Sequence, residues 1–208
     1  MEFLYQENPN RDVLERWLAH VEQSIEWQRD DEKSRLAMGF AKAAIKSRIV
    51  NPDTHHVVGV ARMEETINDY SSLDVSFSKN LVGVHGYSIV NRDAKAFVKN
   101  VMGISITNKN RVLINSFLKS TKGNPLIHLC CVASAAKGAG TALITYMKQK
   151  QMPIILSSLE DARGFHEKMG FVNIANTDVF FWIPEESVEE SIHFTLPISC
   201  GAKEETYV

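Results

Sequence analysis

The part of this chain with the least conformational freedom lies between residues 125 and 151. Leu126, Ile127, His128, Leu129, Cys130, Cys131 and Val132 form a nearly continuous apolar run. Such a run suits a strand buried on both faces, because a half-exposed strand would alternate in polarity. Small residues follow from Ala133 to Ala136, then Lys137, the glycines Gly138 and Gly140, and a helical pattern over 138–151 with Leu143, Ile144 and Met147 on one side. Met152 and Pro153 end that helix before a second apolar strand at 154–156. A strand buried on both faces needs neighbours, so this unit must sit within a larger sheet.

The rest of the chain supplies them. Residues 3–5 read as an opening strand, and Asn10 as an N-cap for a helix whose stripe is Leu14, Trp17, Leu18, Val21 and Ile25. A second helix over 31–49 is stopped by Asn51-Pro52. Residues 57–62 and 81–90 are β-branched and aromatic and read as strands, and 92–102 reads as a helix. The segments 64–79 and 103–123 show no clean period. After the central unit come a short helix over 161–169 closed by Gly170, and strands at 172–175, 179–183 and 192–198. No linker or repeat divides the 208 residues, so one domain of α/β class is expected, with an insertion at about 64–123.

Charge and cysteine content exclude several classes. Lys plus Arg number 23 against 25 Asp plus Glu, a balance that argues against a nucleic-acid-binding protein. Cys130 and Cys131 are adjacent and Cys200 stands alone, which gives neither a disulfide framework nor a zinc ribbon. His55-His56 also fails as a ligand pair, since successive side chains on a strand point apart, and no metal is expected. Residues 1–9 lack the pattern of a signal peptide and no stretch reaches the length of a membrane span. A soluble, cytoplasmic protein is expected.

Lys137, Gly138, Ala139, Gly140, Thr141 and Ala142 mark the chemistry. Unpaired amides at a helix N-terminus favour an anion, and glycine lets the backbone approach it closely. A strand-to-helix turn that binds nothing has the same outline. A P-loop would need Lys and Ser or Thr after its last glycine, but Gly140 is followed by Thr141-Ala142. A dinucleotide fingerprint would place Leu143 where a third small residue is required, which disfavours a nicotinamide-dependent oxidoreductase.

The same segment, together with Ala162-x-x-Phe165-His166-Glu167-Lys168-Met169-Gly170-Phe171, resembles the GNAT superfamily of acyl-CoA-dependent N-acyltransferases. The first part matches its pyrophosphate motif in either of two registers. One uses Lys137, Gly140 and Ala142; the other uses Gly138 and Gly140, with Ala135 at the basic position. The second part matches the family's A-x-x-F-Y-E-K-x-G-F, with His166 in place of the tyrosine.

This resemblance implies a central mixed β-sheet flanked by helices, whose fourth and fifth strands splay to admit acetyl-CoA. Pantetheine would pair with Cys130, Cys131 and Val132, and the diphosphate would rest on the amides from Lys137 to Ala142. A primary amine, whether a small molecule, a polyamine or a protein lysine or N-terminus, would attack the thioester directly. An amine acceptor needs a base, because its ammonium form dominates at neutral pH. His128 could be that base if it faces the cleft, and is otherwise a core histidine; Glu64, Glu65 and Asp74 are others. The tetrahedral oxyanion needs an amide donor such as Val132 N–H.

His166, with an ordinary pKa near 6.5, would protonate the departing thiolate, or else merely cap a helix. Glu185 and Glu186, in an acidic segment, would attract a cationic acceptor or form a solvated loop. A catalytically inactive CoA-binding or protein-interaction module of the same fold is the alternative.

Overall fold

The computed structural model describes residues 2–28, 31–62, 73–91, 93–104, 107, 109–121, 124–175 and 177–185. Fourteen elements are named in chain order: β1 (Phe3–Glu7), α1 (Arg11–Gln23), α2 (Glu32–Val50), β2 (His56–Arg62), α3 (Leu73–Lys79), β3 (Leu81–Val90) and α4 (Ala94–Asn100) in the first half. Then come α5 (Arg111–Ser120), β4 (Leu126–Ser134), α6 (Ala139–Lys148), β5 (Ile154–Ser157), α7 (Arg163–Lys168), β6 (Val172–Asn173) and β7 (Val179–Trp182). The strands form one sheet in the order β1-β2-β3-β4-β5-β7-β6. Only β4 and β5 run parallel; every other neighbouring pair is antiparallel, so the sheet is mixed.

Local signals explain how the first layer forms. The Asn10 side chain accepts from Val13 N and starts α1, and Asp31 does the same for α2 through Ser34 N. Both helices cover one face of β1 to β4, with Val13, Leu14, Trp17, Val21, Ala41, Ala44 and Ile45 buried. Two glycines let them come close. A Cβ on Gly59 would lie 2.4 Å from the Trp17 ring, and one on Gly86 2.9 Å from Ala44 Cβ. The α2 helix can therefore lie directly on the middle of the sheet.

On the same face, α4 and α5 cover Leu126, Ile155, Val179 and Phe181 with Val98, Ile114 and Phe117. The opposite face packs against α6 through Leu143, Ile144 and Met147, and against Phe165 and Met169 at α7. No helix among the described residues is long and apolar enough to cross a membrane.

Several elements differ from the sequence reading. Helix α1 ends at Gln23, which leaves Ile25 beyond it and 87% exposed, outside the apolar stripe. Strand β4 runs two residues further than its apolar run, to Ser134. Helix α6 begins after Gly138 and ends before Gln151, both of which have positive φ. The helix expected over 92–102 shortens to α4, and the one over 161–169 divides into a 3-10 turn at Glu160–Ala162 and α7. Within 64–79 and 103–123, which lacked a clean period, α3 and α5 form. The strand read at 192–198 lies outside the described residues.

Candidate active site

Strand β4 is the origin of the site. In its pairing with β3, Gly86 faces Cys131 and Tyr87 faces Leu129, so Cys130 is an extra residue without a partner. This is a β-bulge, and it reverses the alternation of faces. Leu129 packs in the core under α6, whereas Cys131, two residues on, packs in the core under α2. In a regular strand the two would share a face. The bulge falls where β4 leaves β5: the pairs Ile127–Ile154, His128–Ile155 and Leu129–Leu156 are made, and none follow.

A cleft of about 210 Å³ opens between the diverging strands. Leu129, Cys130, Cys131 and Val132 line one wall and Leu156, Ser157 and Ser158 the other. Phe40 of α2 closes it from one side of the sheet, and Ala162 and His166 close it from the other. The cleft thus passes through the sheet, leaving the unpaired edge of β4 available to an extended ligand.

Helix α6 starts next to the end of β4. Gly138 is its N-cap, at φ 87°, and supplies no side-chain cap. This left-handed backbone is the one that glycine adopts without strain, which favours the register with glycines at 138 and 140. The Ala139 amide is taken by Ala136 O at 3.2 Å and that of Ala142 by Gly138 O at 2.9 Å. The amides of Gly140 and Thr141 have no partner among the described residues, so the donors for an anion number fewer than the six residues of the motif. Lys137 and Thr141 are exposed at the same turn. None of the residues from Lys137 to Ala142 lines the cleft itself.

His166 is 6% exposed and sits among the rings of Phe165, Phe171 and Phe180, at 5.2, 5.8 and 5.8 Å. Burial lowers its pKa to about 4, so at neutral pH the imidazole is uncharged. This lies below the ordinary value near 6.5. Its Nδ1 is buried with no hydrogen-bond partner among the described residues. His128 is half-buried, its ring edge-on to Phe97 at 5.1 Å, and its pKa is lowered by burial. His128 is not among the residues lining the cleft; its Nδ1 lies 3.9 Å from Sγ of Cys130, whose side chain is exposed and does line it.

Other candidates fall elsewhere. Asp74 accepts from Gln6 Nε2 at 2.7 Å and is not among the residues lining the cleft. Glu185 does not line it either; its carboxylate acts on Lys148 at the far end of α6. Glu64, Glu65 and Glu186 lie outside the described residues. Among the described residues no group of three or more His, Cys, Asp or Glu could hold a metal ion.

The structure adds two residues that the sequence reading passed over. Asp178, just before β7, is an exposed carboxylate on the cleft lining. His85 on β3 stands opposite Val132 and is fully buried, with neither ring nitrogen partnered among the described residues. Its pKa falls to about 3, first through burial and then through His166. His85 is hidden within the apolar run of β3, but the Asn-Thr-Asp turn before β7 is a visible polar signal for Asp178.

No protein-family model matches the chain, and no curated protein matches its sequence. Solved structures do match its shape. A bacterial toxin aligns at TM-score 0.50 and 14% identity, over 91% of this chain and 94% of that one. The Bacillus subtilis N-acetyltransferase YlbP in complex with coenzyme A aligns at 0.41 and 16%, over 87% and 97%. Arabidopsis thaliana NAA60 in complex with a bisubstrate analogue aligns at 0.45 and 13%, over 87% and 97%. At such identities the likeness concerns fold alone. The seven-stranded mixed sheet, with β4 and β5 parallel and then parting, gives this chain the fold of the GNAT acetyltransferases.

Proposed function

We propose that the protein transfers an acetyl group from acetyl-CoA to a primary amine by direct attack in the cleft between β4 and β5. The observation that carries this reading is the coincidence of three features. The bulged edge of β4 is left unpaired beyond Leu129, a cleft passes through the sheet beside it, and an uncapped helix N-terminus follows the end of the same strand. Pantetheine amides would complete the β4 edge, and the diphosphate would take the amides of Gly140 and Thr141.

Each chemical step then has a residue. Asp178 draws the cationic amine to the cleft by charge. His128 does not line the cleft but stands behind Cys130, with Nδ1 at 3.9 Å from Sγ, and would accept the amine proton only through that contact or a bridging water. An amide of β4 near Val132 would stabilise the oxyanion. The leaving group is a thiolate whose own pKa is near 8.5, so it needs a hydrogen bond more than a strong acid. The N–H of a neutral His166 supplies one.

Release of free thiol from acetyl-CoA, followed across amines, small peptides and proteins, tests the proposal. Turnover with at least one primary amine is expected, and it should fall in His166→Phe. Binding of acetyl-CoA without turnover on any acceptor would overturn the enzymatic reading in favour of a binding module.

A further inference from the structure

We infer that Cys130 is itself an acyl acceptor: in the absence of an amine, acyl-CoA held in the cleft transfers its acyl group to Cys130 Sγ, with His128 as the base. The inference rests on the reading of the cleft as an acyl-CoA site. Three observations in and beside that cleft carry it. First, the bulge makes Cys130 the one residue of β4 with no partner on β3, and its side chain is exposed to the cleft. Second, Sγ has Nδ1 of His128 at 3.9 Å, a thiol and an imidazole on alternate residues of one strand. The edge-on contact of His128 with Phe97 holds that ring in place. Third, the other side of the cleft presents Nδ1 of His166, buried and without a partner among the described residues. A buried polar atom of that kind is costly unless a ligand group meets it.

The reaction balances without any further reactant. The Cys130 thiol proton passes to Nδ1 of His128, and Sγ attacks the thioester carbonyl. The carbon–sulfur bond to CoA breaks, and the CoA thiolate takes the proton back from His128. One thioester and one thiol become another thioester and another thiol, so the exchange is close to balanced and free CoA reverses it. Burial raises the Cys130 thiol and lowers His128, which opposes a resting thiolate, so the proton must move to His128 as Sγ attacks, through the contact of Sγ with Nδ1. The adjacent Cys131 is not equivalent. Its side chain packs under α2, where the thiol donates to Phe40 O at 3.5 Å, whereas that of Cys130 lies against the carbonyl and the ring of His128.

The test uses the full chain and acetyl-CoA with no amine present. Intact mass should rise by one acetyl group, neutral hydroxylamine and excess free CoA should each remove it, and peptide mapping should place it on Cys130. Cys130→Ser should abolish the gain, Cys200→Ser should retain it, and His128→Gln should slow it roughly a hundredfold. Melting curves with and without acetyl-CoA, recorded on each variant, report folding and binding separately. A raised melting temperature with no thioester on Cys130, or with acetylation only elsewhere, overturns the inference and leaves the cosubstrate reading standing. Neither binding nor acylation overturns both.

Discussion

A histidine at position 166, buried in the cleft wall, has a specific consequence. A tyrosine O–H and a neutral imidazole N–H are both uncharged donors, and burial among three phenylalanine rings keeps His166 in that form down to about pH 4. The pH dependence of kcat should therefore show no loss of activity around 6.5 from this residue, because a group with a lowered pKa changes charge only as pH falls through that lower value. His166→Tyr should retain turnover, and His166→Phe should lose about a hundredfold in kcat, the scale of one lost donor at a developing anion. A limb near 6.5 in the wild type that disappears in His166→Tyr would contradict the assignment of a neutral donor. The sequence marks this position by its spacing from Phe165 and Gly170, but not its charge state. That state depends on Phe171 and Phe180, which reach the ring only after β6 and β7 have paired.

At the scale of elements, α6 is held at both ends by different means. Its C-terminal end is tied to the sheet by Glu7, whose carboxylate accepts from Tyr87 and from Tyr146 and pairs with Lys150 at 2.8 Å. Hydrogen bonds from these groups outweigh desolvation and hold Glu7 below its usual range. Its N-terminal end has only two glycines, and they separate stability from binding. Gly138 needs φ 87°, so Gly138→Ala should destabilise the fold by about 1–2 kcal/mol. A Cβ on Gly140 meets only Phe165 and Ser134, at 3.6 Å each, which is ordinary contact. Gly140→Ala should accordingly melt like the wild type, yet bind CoA at least about tenfold more weakly, because the methyl lies where the anion must approach. Urea denaturation and calorimetric titration of both variants check this. Equal loss of stability in the two would remove the distinction.

For the whole molecule, what the sequence made legible is the half of the sheet with uninterrupted apolar runs. Strands β3, β4 and β5 and helices α1, α2 and α6 follow directly from periodicity and capping. The strand-to-helix turn was legible because glycine at 138 and 140 marks a tight entry into a helix. The bulge at Cys130 was not, since it exists only as a mismatch between β3 and β4, and neither strand alone records it. A polar segment marks Asp178 in the sequence, but its place at the cleft follows only from the Ser158 amide bonding Asp178 O at 2.8 Å. Glu185 is not among the residues lining the cleft, and its charge is felt by Lys148 beyond it.

A bulge-opened cleft through the middle of a sheet is an internal defect, and a ligand that fills it should stabilise the entire fold. Binding to the native state alone contributes RT ln(1 + [L]/Kd), about 2.7 kcal/mol at a hundredfold excess over Kd. For a chain of this size each kcal/mol moves the melting temperature by about 2–4 °C, so acetyl-CoA at that excess should raise it by about 5–11 °C. Free CoA should do nearly as well, as most of the contacts belong to pantetheine and diphosphate. NADH has a diphosphate but no arm to pair with the β4 edge, and should leave the melting temperature unchanged. Stabilisation by NADH with none by acetyl-CoA would mean that the helix N-terminus alone, not the parted strands, selects the ligand.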